Sequence, residues 1–194
     1  MRTRMKVVIT CIIVFLMVTA GFGQSDIGFK GIGGKLGIVD PGGGVGSTIG
    51  FGAIADLGNI TPKIKLQADA VYWAKDYVEL STHDFTVSSI SISAIGKYMF
   101  AEPDEKLRPF AGAGIGLSIT SNSWEYDTVS PVPPYQPIHV DDSRSDTDIG
   151  IHIVGGANYM LSDKFDGIAE FRYVIGGDWD YWGIFAGVIY LLDQ

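Results

Sequence analysis

Along most of the chain, apolar and polar residues alternate one for one. In the clearest stretch Ile64, Leu66, Ala68, Ala70 and Tyr72 share one parity, and Lys65, Gln67, Asp69 and Trp73 the other. A period of two means an extended strand with two different environments on its faces. The pattern recurs. Ile90, Ile92, Ala94, Tyr98 and Phe100 oppose Ser89, Ser91, Ser93 and Lys97, and Ala111, Ala113, Ile115, Leu117 and Ile119 oppose Gly112, Gly114, Gly116 and Ser118. Ile149, Ile151, Ile153, Ala157 and Tyr159 oppose Asp148, Gly150, His152 and Asn158; Ala169, Phe171, Tyr173 and Ile175 oppose Glu170 and Arg172. The last segment carries Trp182, Ile184, Ala186, Val188, Tyr190 and Leu192 on one face, with Phe185 and Ile189 making the other less polar than the pattern wants. Two weaker, glycine-rich segments, Ile27–Val39 and Thr48–Leu57, precede these.

Eight segments of about ten residues match tilted membrane-crossing strands. Their connections alternate in character. Asn59–Pro62, Glu102–Glu105 and Ser162–Lys164 are short and carry turn residues. Pro41–Ser47, Asp76–His83 and above all Ser121–Thr147 are longer; the last holds Pro131, Pro133, Pro134 and Pro137 and reads as a loop outside regular pairing. A shorter connection, Gly176–Tyr181, precedes the last segment. Short turns at one end and long loops at the other predict an all-β fold: an eight-stranded antiparallel up-and-down transmembrane β-barrel.

Alternation alone also fits a soluble barrel with its apolar face inward. The polar face discriminates. It is largely Gly and Ser, whereas a water-facing exterior calls for long solvated side chains. Small residues instead make room inside a narrow barrel. Tyr72, Tyr98, Phe100, Tyr159, Tyr173, Trp182 and Tyr190 fall near segment ends, as aromatic girdles do.

The first 23 residues read as a secretory leader. Arg2, Arg4 and Lys6 precede an apolar run, Val7–Val18, and small residues Ala20, Gly21 and Gly23 end it. The run falls short of the roughly 20 apolar residues of a membrane helix. The domain reading is therefore 1–23 signal peptide and 24–194 barrel. The leader holds the single cysteine, Cys11, so the remainder forms no disulfide. It also takes three of the 14 basic residues and none of the 22 acidic ones, leaving 11 against 22, a net charge of −11. That excludes nucleic acid as a natural partner, since phosphate binding needs a basic face.

Several of these stretches are similar to a known family. Arg108-Pro109-Phe110-Ala111-Gly112-Ala113-Gly114-Ile115-Gly116 and Gly167-Ile168-Ala169-Glu170-Phe171-Arg172-Tyr173 resemble strands of the OmpA/OmpX-like small outer-membrane barrels. Gly187, Tyr190 and Leu192 resemble that family's terminal assembly signal. Two departures stand out: Asp193 and Gln194 replace a terminal aromatic, and Phe185 stands where a polar residue is expected. The resemblance covers the barrel domain only. It implies the outer membrane of a Gram-negative-type bacterium, with outer-membrane lipid and the barrel-assembly machinery as partners.

The candidate chemistry lies in two places. Lys65, Asp69, Lys97, His152, Glu170 and Arg172 should point into the barrel and pair as an interior charge network. Trp124, Tyr126 and Tyr135 on the long loop form either a recognition surface toward an extracellular target or a cap on the barrel mouth. No His-x-Ser motif or triad spacing appears around His83, His139 or His152, so catalysis is not expected. Asp141, Asp142, Asp146 and Asp148 lack the spacing of a calcium loop, and Gly42–Gly46 lacks the Lys-Ser/Thr of a phosphate loop. No metal or cofactor is expected. The expected role is structural or surface-interaction, with weak pore activity as its variant. The alternatives are a barrel enzyme acting on lipid and a secreted soluble barrel binding an apolar ligand.

Overall fold

Backbone groups in a bilayer have no water to bond, so strands there must pair on both sides. The chain meets this condition with eight strands and no helix among the described residues. They are β1 (Asp26–Asp40), β2 (Thr48–Thr61), β3 (Ile64–Val78), β4 (His83–Met99), β5 (Leu107–Val129), β6 (Pro137–Ser162), β7 (Phe165–Ile175) and β8 (Tyr181–Leu191). The computed structural model describes residues 26–78, 83–129, 137–176 and 180–192; the expected leader, 1–23, lies outside them. Each strand pairs antiparallel with its sequence neighbour, and β1 closes on β8 from Gly31↔Leu191 to Asp40↔Trp182.

The two parities of every strand separate cleanly. Ile149 is 74 % exposed and Ile115 67 %, while Arg172 is 0 % and Lys97 1 %. Apolar residues face out and charges face in, the reverse of a soluble barrel. The soluble ligand-binding alternative is thereby overturned: water would meet a belt of exposed Ile, Leu and Phe, and buried charges cross the middle of the lumen where an apolar ligand would sit. Aromatic pairs rim the belt. Tyr98 with Phe100 (5.2 Å) and Phe165 with Tyr190 (5.3 Å) lie at the short-turn end, and Phe51 with Tyr72 (5.2 Å) and Phe171 with Trp182 (6.4 Å) at the other. Trp182 and Tyr190 are separated by about 27 Å of strand, which a tilt of about 40° reduces to about 20 Å of height, comparable with the usual apolar band.

Glycine makes the narrow lumen available. A methyl group on Gly116 would sit 2.5 Å from His152 Nε2, and one on Gly187 would meet Lys35 Cβ at 2.8 Å. Larger residues there would displace the charged side chains that fill the centre.

The expected loop Ser121–Thr147 needs correction. β5 and β6 continue to pair through it, via Ser121↔Ser145, Asp127↔His139 and finally Val129↔Pro137. Trp124, Tyr126, Thr128 and Val129 on one arm and Ile138, Val140 and Thr147 on the other suit strands. Pro137 is the first residue of its strand, where a missing N–H is tolerated. Pro131, Pro133 and Pro134 lie outside the described residues. Similarly, β3 runs to Val78 and β4 starts at His83, which leaves only 79–82 of the expected Asp76–His83 connection; β2 runs on to Thr61.

Placing a lysine on the lipid face should cost about 2–4 kcal/mol near the bilayer midplane. Ile92→Lys and Ile153→Lys, both outward and exposed, should therefore reduce the fraction of heat-modifiable, folded barrel on unboiled gels. Normal folding of both variants would show that the outward face is not the lipid face.

Candidate functional site

The lumen is built in layers. Nearest the outer end, Val39, Val71, Trp73, Val87, Val174, Tyr181 and Phe185 form an apolar cluster. Toward the short turns Ile54, Ile95, Met99, Phe110, Val154, Ile168 and Ile189 form a second. Between them lies a charge layer from four strands, β1, β3, β4 and β7.

Glu170 on β7 is its hub. Its Oε2 accepts from Lys97 Nζ at 2.8 Å, and its Oε1 from Lys35 Nζ at 2.9 Å and Arg172 Nη2 at 2.8 Å. Arg172 also donates through Nη2 to Asp69 Oδ2, which takes Gln67 Nε2 at 3.0 Å as well. Lys35 Nζ lies 3.1 Å from Asp69 Oδ1, close enough for attraction but without hydrogen-bond geometry. All five ionised side chains are essentially inaccessible. Three cations thus face two carboxylates. The excess cation is shared with aromatic faces: Lys35 Nζ is 5.1 Å from the Phe185 ring centre and Lys97 Nζ 4.2 Å from that of Phe110. Phe185 is thereby accounted for, being at once part of the outer apolar layer and a seat for Lys35.

Of the six residues expected in one network, Asp69, Lys97, Glu170 and Arg172 meet here. Lys65 does not. It sits at the short-turn end with Nζ 2.6 Å from Asp56 Oδ2, because its position on β3 is two inward residues below Asp69. His152 faces inward and is fully buried, yet neither ring nitrogen has a hydrogen-bond partner among the described residues. Among the described residues no serine or acid bonds to it. The sequence reading missed Lys35, Asp56 and the Arg108–Asp166 pair, Nη2 to Oδ2 at 2.5 Å. The signal was parity. Lys35 shares its face with Gly31, Gly33, Gly37 and Val39, and Asp166 shares its face with Ile168, Glu170 and Arg172.

The three aromatics assigned to a loop divide differently. Trp124 and Tyr126 lie on β5, opposite Phe85 and His83 of β4. The Trp124 ring packs on Phe85 at 5.4 Å, and Phe85 rests on the outer apolar cluster, so Trp124 caps the mouth from within. Tyr135 lies outside the described residues.

Removing one member of a buried charge pair costs about 3–5 kcal/mol, because its partner stays buried. Glu170→Gln should do so by leaving three cations against Asp69 alone. Double-mutant cycles in denaturant titrations should give coupling of about 0.5–3 kcal/mol for Glu170 with Lys97 and with Arg172, and none for Glu170 with Lys65. Additivity for all three pairs would contradict the hub.

Comparison with known proteins agrees with this architecture. No curated protein matches the chain in sequence. Among solved structures, Neisserial surface protein A aligns over 84 % of this chain and 96 % of its own, with 22 % identity and a TM-score of 0.53. Ail, the attachment invasion locus protein of Yersinia pestis, aligns over 84 % and 97 %, with 14 % identity and a TM-score of 0.54. At these identities the likeness concerns the fold. The family described as outer membrane protein beta-barrel domain matches residues 8–190, and the chain belongs to that family and to the bacterial outer membrane.

Proposed function

We propose that this barrel is a non-enzymatic surface scaffold that presents the outer part of β5 and β6 to an extracellular partner. Its carrying observation is the uneven height of the wall. β5 has 23 residues and β6 26, against 11 each in β7 and β8. A tilted strand crosses the bilayer in about 9–11 residues. Short turns face the periplasm in such barrels, so the surplus projects outward. A cleaved leader over residues 1–23, insertion by the barrel-assembly machinery and a lipid-embedded mature chain are parts of this reading.

The projection has an open side. β6 pairs with β5 back to Pro137, but with β7 only from Ile151 onward. Among the described residues the stretch Pro137–Ile149 therefore pairs on the β5 side only, which leaves its other row of backbone N–H and C=O groups open. Such an edge accepts an added strand, with backbone bonds giving affinity and alternate side chains giving selectivity. Along it stand Asp141, Asp142, Asp146 and Asp148, with Arg144 bonded to Asp146 at 2.9 Å. An acidic edge suits a basic or neutral extended protein segment. Ail has been solved with the heparin analogue sucrose octasulfate; a polyanion of that kind would be repelled here. The pore variant gains no support, since apolar layers bound the charge layer on both sides.

Because Ser118 pairs with Asp148, replacing Ile119–Thr147 by an Asn-Gly turn removes nearly all of this edge and keeps the remaining register intact. The shortened chain should still assemble into a heat-modifiable barrel. Cells displaying it should lose adhesion to extracellular protein, and the full-length adhesion should weaken with added salt. Undiminished adhesion by the shortened form would refute this role.

A further inference from the structure

Below the inner apolar layer, the short-turn end of the lumen opens into a pocket of about 280 Å³. Its walls include the ion pairs Lys65–Asp56 and Arg108–Asp166, and Leu191 and Leu192 supply an apolar side. Leu191 packs against the inner apolar cluster, so the pocket ends blind and a ligand enters and leaves by the periplasmic mouth.

The two ion pairs differ. Asp56 is saturated: Oδ2 binds Lys65 and Oδ1 accepts from the Gly58 amide at 3.0 Å. The Arg108–Asp166 pair is single-pointed. Asp166 is buried, yet among the described residues its Oδ1 has no partner and Arg108 Nε, likewise buried, has none; Nη1 reaches the Pro103 carbonyl at 3.5 Å. Arg and carboxylate ordinarily satisfy each other through two parallel bonds. A buried acceptor and a buried donor left unmade cost free energy, and a ligand that supplies both partners regains it. The Arg108 side chain is 14 % exposed and that of Asp166 1 %, so Arg108 is the member that can swing to admit a ligand.

We infer that this pocket binds a small zwitterion, such as an amino acid or a short peptide, with its ammonium on Asp166 Oδ1 and its carboxylate on Arg108. Lys65 stands on the facing wall as a second cation for the carboxylate, and Leu191 and Leu192 take a small apolar side chain. The wall also holds Lys30 paired with Asp26, Lys65 paired with Asp56, and Asp163, so a bare cation or a bare anion meets charges of its own sign as well as the opposite one. Only a molecule with both charges matches both orphan atoms. This site is independent of the outward hairpin, at the opposite end of the barrel.

The test uses the refolded barrel in detergent micelles, following backbone amide shifts of Gly58, Leu191 and Leu192. L-alanyl-L-alanine is titrated first, then ethylamine and N-acetylalanine as single-charge probes. The dipeptide should shift these amides saturably and bind about tenfold tighter than either single-charge probe. Arg108→Gln should lower dipeptide affinity to the level of ethylamine. Lys65→Gln, which leaves the Arg108–Asp166 pair untouched, should weaken the dipeptide and N-acetylalanine but not ethylamine, and serves if the Arg108 variant does not fold. Amides unmoved by the dipeptide, or ethylamine bound as tightly as the dipeptide, would overturn the assignment.

Discussion

Everything in this molecule follows from the pairing of β1 with β8. Inside a bilayer an open sheet edge would strand a row of backbone polar groups without partners. Closure from Gly31↔Leu191 to Asp40↔Trp182 removes that edge. Closing the ring at eight strands then fixes a narrow interior that side chains must fill. The interior is filled with opposed demands: bulky apolar residues at two levels, and long charged side chains between them. Glycines such as Gly187 beside Lys35 and Gly116 beside His152 resolve the crowding by withholding a side chain where a long neighbour must pass.

The charge layer is better understood as a device for shape than as a source of stability. Burying ions is costly, and their mutual attraction repays that cost only with close geometry. Glu170 achieves that geometry by receiving bonds from three cations on three strands, β1, β4 and β7. Asp69 adds β3 through Arg172. A register slip of one residue would turn each of these charges toward lipid. The network therefore penalises closures that slip by one residue. Phe185 and Phe110 complete it: their rings take the surplus of positive charge that the two carboxylates leave.

Much of this was legible in the sequence, because a period of two maps directly onto inside and outside. Parity groups Ile92, Ile115 and Ile153 on one face and Asp69, Lys97, Glu170 and Arg172 on the other, and the small Gly and Ser residues of the second face mark it as the inner one. Legibility failed where parity was hidden. In β1 the inward face is Gly31, Gly33, Lys35 and Gly37, and glycine gives no apolar–polar contrast, so Lys35 went unnoticed. In β5 and β6 the reading stopped where charges and prolines began. Outside the membrane, both faces of a sheet meet water and alternation loses its cause; the strand continues without its signature. Which inward charges share a layer was also illegible, since that depends on stagger between strands. Lys65 belongs with Asp56 rather than Glu170 for this reason.

The same rule that closes the barrel explains where it opens. Within the bilayer an unpaired edge is prohibitive, and β6 is paired with β7 wherever both run together, from Ile151 to Ser162. Beyond the rim water satisfies backbone groups, and the constraint lapses. β6 then continues to Pro137 paired, among the described residues, with β5 alone. An exposed edge in water remains a hazard for aggregation, which charges along it suppress. The run Asp141, Asp142, Arg144, Asp146 and Asp148 supplies them on this strand. Acidic residues there repel a second copy of the same edge while leaving it attractive to an unlike, basic strand. In the proposed scaffold role, solubility and selectivity would come from one set of residues, placed where the membrane ceases to dictate pairing.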